Sequence, residues 1–128
     1  MRMLVDTHLL LWAAASSRRL PQEARRLMQD PENEVLYSAA SLWEIAIKAA
    51  LRKADFRADV ALLRPALVEM GFKELSISGA HVERLPQLPH LHKDPFDRML
   101  VAQSLAEPLV LLTNDSVLAG YGEGVRVV

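Results

Sequence analysis

Two short apolar runs, MRMLVD at residues 1–6 and PLVLLTND at residues 108–115, each end on an aspartate. Their apolar stretches do not alternate with polar residues, so each reads as a strand buried on both faces, the pattern of a parallel sheet. Parallel neighbours need long crossovers, usually helical, and the intervening segments supply them. THLLLWAAA follows the first run at once, with Thr7 able to cap it as a helix. LPQEARRLMQD has Pro21 in its first turn and Glu23 close behind, a helix start. NEVLYS is a second strand. AASLWEIAIKAALRK is the clearest amphipathic helix, starting from Ser38, with Leu42, Ile45, Ala46 and Ala49 on one face. ADVALLRPALVEMG reads as a helix that Pro65 should break or begin and Gly71 closes. FKELSI is a short strand, SGAHVERL a short helix, PQLPHLHKDP a proline-rich loop, PFDRMLVAQSLAE a helix and GVRVV a last strand. Strands alternating with helices predict an α/β fold with a central parallel sheet of about five strands, one domain over residues 1–128.

That architecture places a site. Open α/β sheets bind ligands beyond the carboxyl ends of their strands. Asp6 and Asp115 stand at two such ends, and if the two strands are neighbours their carboxylates meet at one edge. Each also has an ordinary reading as a helix cap. Glu44 matches a capping box with Ser41 and forms an i,i+4 pair with Lys48. With the helix starting at Ser38, however, it falls a turn or more inside, between Trp43 and Ile45. A carboxylate there is partly desolvated and wants a cation. In HKDPFDRML, Asp94 before Pro95 is explained as an N-cap. Asp97 needs another reason: it sits in the first turn, ahead of the buried-helix run Met99–Ala102. Carboxylates with no cysteine among 128 residues suit a hard cation, Mg²⁺ or Mn²⁺, and such ions act on phosphates. His90 and His92 also lie close by, but a proline-rich loop is a loose platform for ligands and their spacing is unspecific, so a metal role is set aside. His8 and His81 read as ordinary helix residues, and Trp12 and Trp43 as core or dimer contacts.

The absence of cysteine removes disulfides, thiolate zinc sites and cysteine nucleophiles. A net charge of −1 gives no field that gathers nucleic acid by itself. The apolar N-terminus is interrupted by Asp6 and His8, so neither a signal peptide nor a membrane span is read, and the expected location is cytoplasmic. Only five glycines are spread along the chain, which excludes a glycine-rich nucleotide loop.

LVDTHLLLW, SAASLWEIAIK, HKDPFDRMLVAQSL and LLTND occur in this order at domain-scale spacing. Together they resemble PIN-domain proteins, specifically the VapC-type toxins of toxin–antitoxin modules, over nearly the whole chain. DPFDRMLVAQ is the most specific motif and LLTND the weakest. The resemblance implies a PIN-like α/β/α sandwich and a Mg²⁺- or Mn²⁺-dependent endoribonuclease. It implies catalytic acids at Asp6, Glu44, Asp97 and Asp115, with Asp6 and Asp97 as the main metal ligands. Asp94, Thr113 and Asn114 would support the metal site, while Lys48 and Arg98 would contact RNA phosphates or balance charge. It further implies a homodimer neutralised by a cognate VapB-type antitoxin, with promoter DNA met only through the antitoxin. The rivals are another metal-dependent α/β phosphohydrolase with Asp6 as phospho-acceptor, against which His8 stands where a haloacid-dehalogenase-like enzyme wants a second Asp, and a non-catalytic dimeric binding module in which the acids are only caps.

Overall fold

The computed structural model describes residues 1–128. Five strands, β1 (Arg2–Val5), β2 (Glu34–Ser38), β3 (Lys73–Leu75), β4 (Val110–Thr113) and β5 (Val125–Val127), form one parallel sheet in the order β3-β2-β1-β4-β5. Six α-helices connect and cover it: α1 (Thr7–Ala14), α2 (Gln22–Gln29), α3 (Ala39–Ala50), α4 (Val60–Glu69), α5 (Gly79–Arg84) and α6 (Pro95–Ala106). Single 3₁₀ segments run over Leu85–Gln87 and Ser116–Tyr121.

The two apolar runs are central neighbours, with Val5 opposite Leu112. Their side chains divide between faces by the period of two of a strand. Met3, Val5 and Leu112 join Leu9, Leu10, Leu27, Ile45 and Leu67 beneath α1–α4, while Leu4 and Leu111 join Leu100, Val101 and Leu118 beneath α6 and the second 3₁₀ segment. The sheet is therefore buried on both faces, the three-layer arrangement expected of its uninterrupted apolar strands. The chain builds outward from β1 to β2 and β3, then returns to add β4 on the other side of β1. The crevice at this reversal, past the carboxyl ends of β1 and β4, is where an open sheet exposes a binding site. No helix is long and apolar enough to cross a membrane.

Four local expectations are corrected. Pro65 neither breaks nor begins its helix, because α4 runs through it from Val60 to Glu69. Proline removes the N–H that would reach the Ala61 carbonyl, but both residues are exposed, so water satisfies the freed oxygen, while Leu63 and Leu67 anchor the opposite face. The buried face of α3 is not Leu42, Ile45, Ala46 and Ala49: Ala46 is exposed and Ala49 half-buried, whereas Ser41 and Glu44 are buried beside Leu42 and Ile45. The helix packs its apolar pair into the core and turns a polar stripe toward the sheet edge. Asp6, not Thr7, caps α1, accepting the Leu9 N–H. Trp43 is not core, being 59% exposed with its ring edge-on to Phe96 at 5.1 Å.

Candidate active site

Asp6 is the residue immediately beyond β1. Its Oδ1 accepts the Leu9 N–H at 2.9 Å, and its Oδ2 accepts the Thr113 hydroxyl at 2.5 Å and the Asn114 N–H at 3.2 Å. The carboxylate is buried, and burial raises its pKa against the lowering effect of the three donors, Thr113 foremost. Three donors leave part of its acceptor capacity open and hold its orientation. Thr113 Oγ1 also accepts the Asp115 N–H at 3.0 Å, so the hydroxyl at the end of β4 joins the two aspartates. The side chain of Asn114 turns away, to the Val128 carbonyl at 2.8 Å, and only its backbone serves Asp6.

Glu44 is buried on the polar stripe of α3. The Thr7 hydroxyl donates to its Oε1 at 2.6 Å, and the Lys48 ammonium, one turn on, lies 2.5 Å from its Oε2. Lys48 also sits 3.6 Å from Asp94 Oδ2 and over the rings of Phe56 and Phe96, at 4.8 and 5.7 Å. Burial pulls the Lys48 pKa down, but Glu44 and then Asp94 outweigh it and the net shift is upward. Lys48 is thus the charge partner that a carboxylate this deep requires.

Asp94 caps α6, accepting the N–H groups of Phe96 at 2.8 Å and Asp97 at 3.3 Å, with Pro95 at the first helical position. Asp97 then projects from the first turn with its side chain 20% exposed. Its pKa is pushed up to about 7, first by burial, then by repulsion from Asp94 and Glu44, with a smaller push from Asp6; His92 acts in the opposite sense. Asp115 caps the second 3₁₀ segment through Oδ1, which accepts the Val117 N–H at 3.0 Å, and is the most open of the acids, its side chain 38% exposed.

The tightest gathering includes a residue that the sequence reading set aside. One ligand atom each from His92, Asp97 and Asp115 lie within 4.8 Å of one another. His92 Nε2 is 2.8 Å from Asp115 Oδ2 and 3.4 Å from Asp97 Oδ2. Asp6 and Glu44 stand outside this group, each held by its own donors. The proline-rich loop is not a loose platform. The His92 N–H donates to the Tyr121 hydroxyl at 3.1 Å, and the Arg98 guanidinium donates to the carbonyls of Pro89 and Leu85 at 3.0 and 3.2 Å and to the Tyr121 hydroxyl at 3.2 Å. Three Arg98 hydrogen bonds thus go to fastening the loop, a role the sequence reading did not foresee. The one advance signal was an arginine directly after Asp97, beside a loop rich in unpaired carbonyls.

The donor set fits a hard divalent cation. It is dominated by carboxylate oxygens, and the Asp97 carboxyl, raised first by burial and then by its acidic neighbours, lies where a cation would offset both. No curated protein matches the chain. Among solved structures it is similar to VapBC2 from Rickettsia felis bound to a promoter DNA fragment, at TM-score 0.67 and 14% identity, covering 100% of this chain and 98% of that one. It is similar to a toxin–antitoxin complex from Klebsiella pneumoniae at TM-score 0.64 and 23% identity, covering 98% and 96%. It is also similar to VapC20 from Mycobacterium tuberculosis, a sarcin–ricin loop cleaving toxin, at TM-score 0.64 and 15% identity, covering 94% and 97%. At these identities the likeness is one of fold. The PIN domain model matches residues 3–124, a span that carries every acid of the sheet edge from Asp6 to Asp115, and on that match the chain belongs to the PIN domain family.

Proposed function

We propose that this protein is a Mg²⁺- or Mn²⁺-dependent endoribonuclease and the toxin of a toxin–antitoxin pair. The observation that carries the reading is the gathering of His92, Asp97 and Asp115 within 4.8 Å past the carboxyl ends of the central strands, with the Asp97 carboxyl pushed up to about 7 first by burial and then by Asp94 and Glu44. Buried, crowded acids are a cost in a metal-free protein and an asset in one that binds a cation.

Asp6 and Asp97 are the proposed metal ligands, with Glu44 and Asp115 completing the cluster. A bound divalent ion would polarise a phosphoryl oxygen and lower the pKa of a coordinated water. The chain's own part is preorganisation. Thr113 and the Asn114 N–H hold the Asp6 carboxylate. Thr7 fixes one oxygen of Glu44 and Lys48 offsets its charge. Asp94 starts the helix that presents Asp97. Glu44 and Asp115 would help orient the attacking water. With a net charge of −1, affinity for RNA rests on local cations and on the metal–phosphate contact, and weakens with salt.

Partners follow from the neighbours, which include VapBC complexes with an antitoxin. An antitoxin and a second copy of the chain are the proposed partners, and promoter DNA is reached only through the antitoxin. The exposed Trp43, Ile47 and Leu51, spaced along one face of α3, supply apolar surface for a protein contact. The test is cleavage of total RNA by purified protein. Wild type with Mn²⁺ or Mg²⁺ should cut, while Asp97→Asn and wild type in excess EDTA should not. Equal cleavage by the variant, against a nuclease-free control, overturns the assignment. A folded protein that binds antitoxin and cuts no RNA identifies a binding module instead.

A further inference from the structure

We propose that His92 is a positioning residue that holds Asp115 toward Asp97 by donating a hydrogen bond, and that it is not itself a ligand of the metal. The inference rests on the reading of this edge as a metal centre. It starts from the imidazole's own contacts. Nδ1 accepts the backbone N–H of Asp94 at 3.0 Å. A ring nitrogen that accepts carries no proton, so in the neutral ring the proton is on Nε2. Nε2 is the atom that faces the acids, 2.8 Å from Asp115 Oδ2 and 3.4 Å from Asp97 Oδ2. The group nearest the carboxylates is therefore a donor and not a free lone pair. Ligation through Nε2 would leave neither ring nitrogen protonated unless the bond from Asp94 were broken. Proximity alone makes His92, Asp97 and Asp115 look like a ligand triad; the tautomer assigns His92 the role of orienting a ligand.

Asp115 needs such a partner. Its Oδ1 is committed to capping the 3₁₀ segment, and its Oδ2 is held by His92. It is also the most exposed acid of the cluster, so packing restricts it least. His92 is itself anchored, through its N–H on the Tyr121 hydroxyl and through the preceding loop, which Arg98 fastens at Leu85 and Pro89. Tyr121 ends the 3₁₀ segment that Asp115 begins, so the His92 backbone and side chain grip the two ends of one short element.

The experiment is Mn²⁺ binding, read by the EPR signal of free ion, together with pulsed EPR for nitrogen coupling to bound Mn²⁺, on wild type, His92→Ala and His92→Gln. Wild type should bind Mn²⁺ without the coupling of a directly ligated imidazole. His92→Ala should bind it roughly 10–100-fold more weakly, the usual loss when a partner that orients a ligand is removed. His92→Gln, which keeps an N–H donor, should recover most of that loss. In an Asp115→Ala background, His92→Ala should cost little more, because His92 acts through Asp115. A directly ligated nitrogen in wild type, or unchanged affinity in a folded His92→Ala, overturns the proposal. If His92→Ala does not fold, the wild-type nitrogen coupling and the Gln variant decide. A wild type that binds no Mn²⁺ overturns the metal reading itself, a result distinct from either.

Discussion

Asp97→Asn should stabilise the metal-free protein at alkaline pH while abolishing the activity proposed for it. The Asp97 carboxyl is pushed from 3.8 up to about 7. A rise of that size corresponds to about 4 kcal/mol of disfavour for the ionised form, at about 1.4 kcal/mol per unit. The sign follows from proton binding. Between about pH 4 and 7 the folded chain holds a proton that the unfolded chain has released, so stability falls as pH rises through this window. Below it both states are protonated and there is no cost; above it the cost is complete. Asparagine keeps the shape and carries no charge. It forfeits the helix-dipole stabilisation of an anion in the first turn, about 0.3–1 kcal/mol, and the ionic part of the His92 contact. The net gain at pH 8.5 should be about 1–3 kcal/mol. With an unfolding entropy of about 2.1 cal/mol/K per residue over 128 residues, each kcal/mol moves Tm by about 4 °C. Thermal melts in EDTA should therefore show Tm raised by about 4–12 °C at pH 8.5 and little changed at pH 5. A lowered Tm at pH 8.5, or the same shift at both pH values, refutes the argument that this acid is held against its neighbours' charge.

Binding of Mn²⁺ at pH 7 should release about half a proton, because Asp97 is near its midpoint there and a cation ionises it; calorimetry in buffers of different ionisation enthalpy counts it, and zero release contradicts the shift. Lys48→Met should destabilise by about 1–3 kcal/mol in a denaturant titration, since it strands Glu44 buried with only the Thr7 donor, and an unchanged midpoint would mean that the Glu44–Lys48 pair does not support the fold. Arg98→Ala should cost about 1–3 kcal/mol and speed amide exchange in residues 85–92, because it removes the donors to Leu85, Pro89 and Tyr121; unaltered exchange there would show that the loop is held by other contacts.

What was legible in the chain was what local pattern dictates. The uninterrupted runs before Asp6 and Asp115 announced two buried parallel strands; that they are neighbours was left open, and β1 and β4 are paired. Asp94-Pro95 announced the start of α6 at the residue where it starts. Contacts made across the fold were not legible. Beyond the bare presence of Arg98 nearby, nothing around His92 in sequence says that Tyr121 and Arg98 will fasten its loop, and without that knowledge a proline-rich stretch looks unfit to present a side chain. The face of α3 was misjudged for a related reason. Periodicity sorts residues by hydrophobicity, so it put Ala46 and Ala49 on the buried face in place of Ser41 and Glu44, although the apolar neighbours of Glu44 did mark it as partly desolvated. Pro65 misled because the rule against helical proline assumes a carbonyl cut off from water, and the Ala61 carbonyl is on the open side.

Asp94 carries a consequence beyond capping. Its Oδ1 starts α6, its Oδ2 stands beside the Lys48 ammonium from α3, and its N–H sets the tautomer of His92. Two of these contacts are local, made within residues 92–96, and the third reaches across to α3. One side chain and its own N–H thus tie the imidazole beside Asp115, the turn that presents Asp97 and the ammonium that neutralises Glu44. A substitution at Asp94 would disturb three parts of the site at once without removing any of the four acids proposed to act there.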